Sequence, residues 1–288
     1  VSETTGRASG REKLQALKAA QARQQRQRKM LGLIAALVAV VIATVGIMWG
    51  VSSHQKSESD RKAQEAAKAT GFITSVTSVP TASFDQVGVG AANAFPKPMS
   101  GSQPMTQDGK PRVLYIGAEF CPYCAMERWA LVAALSRFGT FTGLKPAVSS
   151  PDEGPLSNIQ TMSFLDAKYT SKYLVFTSYE TQDRLGKPLQ QPAAADAALM
   201  QRFGNGGIPW VDWGGVATSG VGYDGNMLVG KTNTQIAKAL SDPKSDIAQG
   251  VLGEANVVSA QLCVLTKGAP ANVCSSPGVK AAAAKLPQ

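Results

Sequence analysis

The sequence predicts an α/β domain preceded by one membrane-spanning helix. Three observations carry that prediction. Residues 31–51 read LGLIAALVAVVIATVGIMWGV, with no charge, Asn, Gln or Pro. Residues 113–138 pass from a short apolar run, through Cys-x-x-Cys, into an apolar helical pattern. Beyond them strand-like and helix-like segments alternate, without an internal repeat, up to a long helical pattern near the C-terminus.

The charge comes first along the chain. The 288 residues hold 29 Lys and Arg against 20 Asp and Glu, a net +9. Residues 1–30 contain eight basic and two acidic residues, so most of the excess sits in this tail. The following apolar stretch spans about 30 Å as a helix, the thickness of a bilayer core. A buried globular helix would carry a polar stripe, and a cleaved signal peptide has a shorter apolar region of roughly 7–15 residues. Basic residues precede the segment and residues 52–70 are nearly neutral, so the N-terminus is expected in the cytoplasm and the rest outside. Trp49 lies where an interfacial aromatic belongs. The organisation expected is a basic cytoplasmic tail 1–30, a membrane helix 31–51, a stalk 52–75, an extracytoplasmic domain 76–274 and a disordered tail 275–288. Lipid is the expected partner of residues 31–51. Anionic lipid explains the basic tail more simply than nucleic acid does, and no nucleic-acid partner is expected.

One histidine, His54, excludes a His-ligated metal centre, a Cys₂His₂ finger and a two-histidine acid–base pair. It falls in the polar stalk, where a pocket is not expected. A Cys₄ zinc site would need Cys263 and Cys274 as its second pair, and their spacing of eleven is too wide. Neither metal nor cofactor is expected.

Within the domain, residues 71–110 read as an irregular N-terminal lobe. VLYIGAEF after Gly109-Lys110-Pro111 reads as a buried strand. AMERWALVAALSRFG reads as a buried helix, closed by Gly139. In it Glu127 and Arg128 are expected on a solvated face, with tuning of a Cys thiolate the alternative. Further strands are expected at Leu144–Ser149, Thr161–Phe164 and Tyr173–Thr177, and a helix at Pro192–Phe203. A hairpin is expected through Tyr223-Asp224-Gly225-Asn226, then a capped helix at Thr232–Leu240. A longer helix is expected from Ser245 to Lys267, with Ile247, Val251, Leu252, Ala255, Val258, Leu262 and Leu265 inward.

Strand, Cys-x-x-Cys, helix is a specific arrangement for thiol chemistry. A Cys at a helix N-terminus meets the positive end of the macrodipole and unpaired N–H groups, which stabilise a thiolate. Cys121 is expected at that cap, with Cys124 one turn in, more buried, and able to attack a mixed disulfide formed at Cys121. Pro122 suits the first helical position. An inert disulfide is the bland alternative. Glu119, two residues before Cys121, is a candidate proton carrier for Cys124 or else a surface acid. Tyr123, Trp210 and Trp213 are candidates to line a peptide groove, with core packing the alternative for a tryptophan. Cys263 and Cys274 are expected to form a structural disulfide in an oxidising compartment.

GAEFCPYCAMERW together with the later Ile208-Pro209 resembles the thioredoxin superfamily, and within it the bacterial membrane-anchored, extracytoplasmic oxidoreductases. AEFCPYCAMERWA and SFLDAKYTSKYLVFTSYE are also similar to a family known only as a domain of unknown function with a thioredoxin-like core. The Pro-Tyr inside the Cys-x-x-Cys is similar to glutaredoxins, but the anchor and the long insertion between 140 and 190 depart from them, and glutathione binding is not implied. The resemblance implies a thioredoxin-like domain with an insertion and C-terminal helices. It implies Cys121 as nucleophile, Cys124 as resolving thiol and Pro209 as a cis-proline. It also implies substrate contacts from Pro122, Tyr123, Ile208 and Trp210, the Ile208 backbone pairing with the substrate chain. The function expected is thiol–disulfide exchange on protein partners, oxidase or isomerase rather than reductase, with a membrane redox partner. The rival is a non-catalytic assembly subunit of a membrane complex that uses the domain for docking.

Overall fold

A computed structural model of the chain describes residues 55–66 and 68–287, with the isolated Met30, Val45, Ser52 and Ser53. The expected basic tail, membrane helix and His54 lie outside the described residues, those isolated positions apart. The chain divides into two compact units, Val1–Glu58 and Ser59–Gln288. Among the described residues no helix is long and apolar enough to cross a membrane.

The second unit is a mixed α/β structure. Its centre is β3 (Lys110–Gly117), in which Val113, Leu114, Tyr115 and Ile116 are all fully buried. Side chains alternate across a strand, so a strand buried on both sides reads as a continuous apolar run. Val113 and Tyr115 join one core cluster, Leu114 and Ile116 another. β8 (Val175–Glu180) pairs with β3 in parallel, from Arg112 opposite Val175 to Gly117 opposite Glu180. On the other side β9 (Trp210–Asp212) runs antiparallel, with Ile116 opposite Trp210. β10 (Val216–Ser219) follows β9, and the short β1 (Lys97–Pro98) closes that edge. β2 (Thr106–Gln107) forms a hairpin with the start of β3.

Helix α3 (Pro122–Leu135) leaves β3 and packs on one face of the sheet together with α6 (Asp246–Leu265). All of α3 but Tyr123 is buried. The other face is covered by α4 (Ala194–Gly204), whose Leu199, Met200 and Phe203 pack on Leu114, Ile116 and Trp210. Arg112 of β3 holds α4 in place through a bidentate ion pair to Asp196 at 2.7 and 2.9 Å.

Between α3 and β8 lies an insertion of two antiparallel ribbons. β4 (Thr140–Thr142) pairs with β7 (Lys168–Thr170), and β5 (Lys145–Val148) with β6 (Gln160–Ser163). Phe141, Phe164, Tyr169 and Phe176 join it to the sheet, with ring centroids 4.8–5.9 Å apart.

Three expectations are corrected. Residues 71–110 are not wholly irregular: α1 (Gly71–Thr77) and α2 (Thr81–Val87) bury Phe72, Val76, Phe84 and Val87. The Phe72 ring stands 5.4 Å from that of Trp129. The hairpin at 223–229 is a 3-10 turn, Gly225–Leu228, because Leu228 is drawn into the core. The hairpin is earlier, between β9 and β10, where Gly214 and Gly215 take φ of 78° and 95° and donate to the Asp212 carboxylate. Residues 275–288 are not all disordered. α8 (Pro277–Ala283) buries Val279 and Ala282, one turn apart on an apolar face. The expected helix at Thr232–Leu240 is α5 (Asn233–Ala239), closed by a Thr232–Gln235 capping box. Its successor α6 is capped by Ser245, and every residue expected inward is buried except the half-buried Leu265.

Candidate active site

Cys121 is the N-cap of α3, and Pro122 takes its first position, where a missing N–H costs nothing. The Cys121 sulfur accepts the Cys124 N–H at 3.2 Å. Its thiol lies 3.8 Å from the Ile208 carbonyl oxygen. Ile208-Pro209 is a cis peptide unit leading into β9. The topology thus brings together residues 87 apart in sequence. Ala118, Phe120 and Ile208 pack around the two sulfurs. Cys121 is 5% exposed and Cys124 is fully buried, and the two are not bonded to each other.

Burial and bonding divide the two thiols. The hydrogen bond with Cys124 lowers the Cys121 pKa against the opposing effect of burial, with help from backbone N–H groups and the Arg128 charge. Burial first, then the Cys121 sulfur, push the Cys124 thiol well above its ordinary value. The anion therefore forms at Cys121 while Cys124 keeps its proton.

Of the remaining expected residues, Tyr123 is 48% exposed and Ile208 half-buried, both at the rim beside Cys121. Pro122 and Pro209 are buried. Trp210 is a correction: it is fully buried and packs on the α4 side of the sheet, so it presents no surface to a substrate. Gly204 is the reason it fits, since a Cβ there would stand 2.6 Å from the indole ring. Trp213 is likewise buried. Glu119 is also placed elsewhere. It lies beyond the end of β3, accepts the Ser163 hydroxyl at 2.5 Å, and lines a cleft of about 550 Å³ with Lys145, Asp166 and Arg184. Cys263 and Cys274 are bonded, their Cα atoms 5.6 Å apart, tying α7 (Ala271–Cys274) back to the end of α6.

The sequence assigned Glu127 and Arg128 to solvent, and both are buried. Arg128 donates to both Glu180 oxygens at 2.6 and 2.9 Å and to the Ala118 carbonyl at 2.8 Å. Glu127 is buried beside Glu254 of α6, and neither Glu127 oxygen has a hydrogen-bond partner among the described residues. Burial pushes Glu127 well up and lifts Glu254 to about 7. Glu254 also accepts the Gly222 N–H at 2.7 Å. A signal for both was present: α3 is apolar nearly all round, so it offers no wet face to carry them. Phe120 was missed because nothing in its own identity marks it.

Among the described residues no group of three His, Cys, Asp or Glu is placed to hold a metal ion. The family model described as Domain of unknown function (DUF929) matches residues 98–208, less than half of the chain, from β1 through the Cys-x-x-Cys and the insertion to Ile208. No curated protein and no solved structure matches the chain.

Proposed function

We propose that the chain is a membrane-anchored, extracytoplasmic thiol–disulfide oxidoreductase with a thioredoxin-like core, acting on protein partners. One observation carries the reading. The Cys121 sulfur is held at a helix N-terminus between the Cys124 N–H and the Ile208 carbonyl, with an exposed Tyr123 and half-buried Phe120 and Ile208 around it. The strand order β8-β3-β9-β10, with one parallel and two antiparallel pairings, supports the thioredoxin-like assignment. The apolar run 31–51 after a basic tail supports the anchor.

As an oxidase the cycle begins with a Cys121–Cys124 disulfide. A partner thiolate attacks the Cys121 sulfur, the S–S bond breaks, and Cys124 leaves and takes a proton. A second partner thiolate then attacks the partner sulfur of the mixed disulfide, and Cys121 leaves as the stabilised thiolate. The partner gains one disulfide and gives two electrons to the pair. A disulfide-bearing membrane redox partner takes them back. Oxidation is favoured over reduction because a stabilised Cys121 thiolate favours the reduced pair.

The test is a Cys124→Ser variant, whose Cys121 thiolate can attack a partner disulfide, the reverse of the cycle above, and which keeps no Cys124 thiol to release the adduct. It is expected to accumulate partner adducts that reductant releases, and the parent Cys121–Cys124 couple is expected to equilibrate with glutathione. No adducts, and no exchange at any glutathione ratio, would sink the enzymatic reading. The slight exposure of Cys121 favours a second reading, a docking subunit of a membrane complex. That reading expects a stoichiometric partner whose co-purification survives Cys121→Ser combined with Cys124→Ser.

A further inference from the structure

Below the two thiols lies a buried polar group that thiol–disulfide exchange, as described, does not use. Arg128 follows Cys124 by one helical turn, so the two share a face of α3. Arg128 and Glu180 are both fully buried, and their fork-to-fork pairing ties α3 to the end of β8. The bond to Ala118 fixes the guanidinium against the turn that delivers Cys121. The pairing is incomplete. Nη1 of Arg128 has no hydrogen-bond partner among the described residues, and neither has the buried Tyr115 hydroxyl. Gly117 makes room for that hydroxyl, since a Cβ there would stand 2.1 Å from it. Packing alone does not account for such a cluster, because apolar residues of similar volume commonly fill such a site at no loss of stability. The ionisable groups around the guanidinium are Tyr115 from β3, Glu180 from β8, and Cys121 and Cys124 at the head of α3, with Glu119 beyond Glu180.

We propose that Arg128 is a positioning residue that sets the reduction potential of the Cys121–Cys124 pair, its buried guanidinium favouring the reduced pair and so tilting the site toward oxidising its partners. The proposal rests on the thiol–disulfide reading and adds its direction. Reducing the pair breaks one S–S bond and takes two electrons from two glutathione thiols, which become glutathione disulfide. Of their two protons one goes to Cys124 and one is released, and Cys121 is left as a thiolate. A fixed positive charge nearby lowers the free energy of that product and not of the neutral disulfide. Arg128 outweighs its more distant partner Glu180 at both thiols.

The experiment uses the full chain in detergent. It measures the pH profile of Cys121 alkylation and the equilibrium of the pair with glutathione. Arg128→Met is expected to move the alkylation profile upward by about one pH unit. It is also expected to shift the equilibrium about tenfold toward the Cys121–Cys124 disulfide, about 30 mV less oxidising. Glu180→Gln leaves the guanidinium uncompensated and is expected to move both readouts the opposite way. Should Arg128→Met fail to fold with Glu180 left alone, Arg128→Met combined with Glu180→Leu removes both charges. It is expected to fold and to shift in the same direction as Arg128→Met, by less, because the opposing carboxylate goes too. A purely structural Arg128 does not predict shifts of opposite sign. Folded Arg128→Met/Glu180→Leu and Glu180→Gln variants that keep the parent profile and equilibrium would overturn the proposal while leaving the parent's exchange intact. A parent that does not exchange with glutathione at all takes down the underlying reading and this inference together.

Discussion

Two neighbouring residues of α3 are buried and charged by type, and the fold treats them in opposite ways. Arg128 is given a carboxylate, Glu180, which accepts two hydrogen bonds from it at 2.6 and 2.9 Å while burial raises the Glu180 pKa. Glu127 is given another carboxyl, Glu254, and among the described residues neither makes an ion pair. Burial pushes both carboxyls up, and each disfavours a charge on a like neighbour in a dry interior. One site is held by a charge-assisted pair. The other is stabilised by a proton and is lost when that proton goes. The chain thus carries a fixed field and a titrating joint on one helix, one turn below the thiols.

The largest effect expected is on the charged site. Arg128→Ala leaves Glu180 buried without a partner and is expected to cost about 3–5 kcal/mol, read from denaturant unfolding. Loss of less than 1 kcal/mol would show that Glu180 simply takes a proton or reaches water.

The carboxyl pair comes next. The folded pKa of Glu254, about 7, lies above its ordinary 4.5. Both states are protonated below 4.5, so the contribution is complete there. Between 4.5 and about 7 the unfolded chain ionises first, so stability falls as pH rises and the contribution is gone above about 7. The loss expected across that window is about 3 kcal/mol. Glu127→Gln gives Glu254 an amide donor and is expected to flatten the curve. A parent curve that rises over the same window would contradict the raised Glu254 pKa.

Smaller effects sharpen the contrast from outside the helix interior. Reducing the Cys263–Cys274 bridge, eleven residues apart, is expected to cost about 2–3 kcal/mol, as for a short loop. It is not expected to alter Cys121 alkylation, because the segment after Cys274 is met by Arg137, through Ser276, past the far end of α3, a helix about 20 Å long. Glu119→Gln is expected to leave the alkylation profile of Cys121 in place, since its carboxylate bonds Ser163 and not a thiol. Tyr123→Ala is expected to change stability by less than about 0.5 kcal/mol. In a Cys124→Ser background it is expected to reduce the yield of trapped partners.

What could be read in advance follows from where specificity resides. β3 and α3 were legible because both are apolar on every side, and α5 because its cap is written in Thr232 and Gln235. Cys121 and Cys124 were legible because local spacing fixes their place at the helix head. Glu119 was left open between proton carrier and surface acid because β3 ends at Gly117, and past that point a turn rather than strand alternation aims the side chain. Trp210 was misjudged because proximity to Pro209 says nothing about which face of the sheet it takes. Arg128 and Glu127 were misjudged by residue type, when the better guide was the helix around them. Their partners, Glu180 and Glu254, sit in distant elements and were out of reach of any local pattern.

The 87 residues between Cys121 and Ile208 have a consequence for the order of assembly. The helix head forms from adjacent residues and is fast to close. β3 and β8 are non-local partners, with Leu114 opposite Thr177, and β9 must find β3 from still further along the chain. Contacts of that range are made late, after loop-closure entropy has been met. A chain that has not finished folding therefore displays Cys121 and Cys124 as two ordinary thiols, open to any oxidant. Only the finished sheet shelters Cys124, sets Ile208 against Cys121 and brings Glu180 to Arg128. The reactivity of the site is a property of the completed fold, and it arrives last.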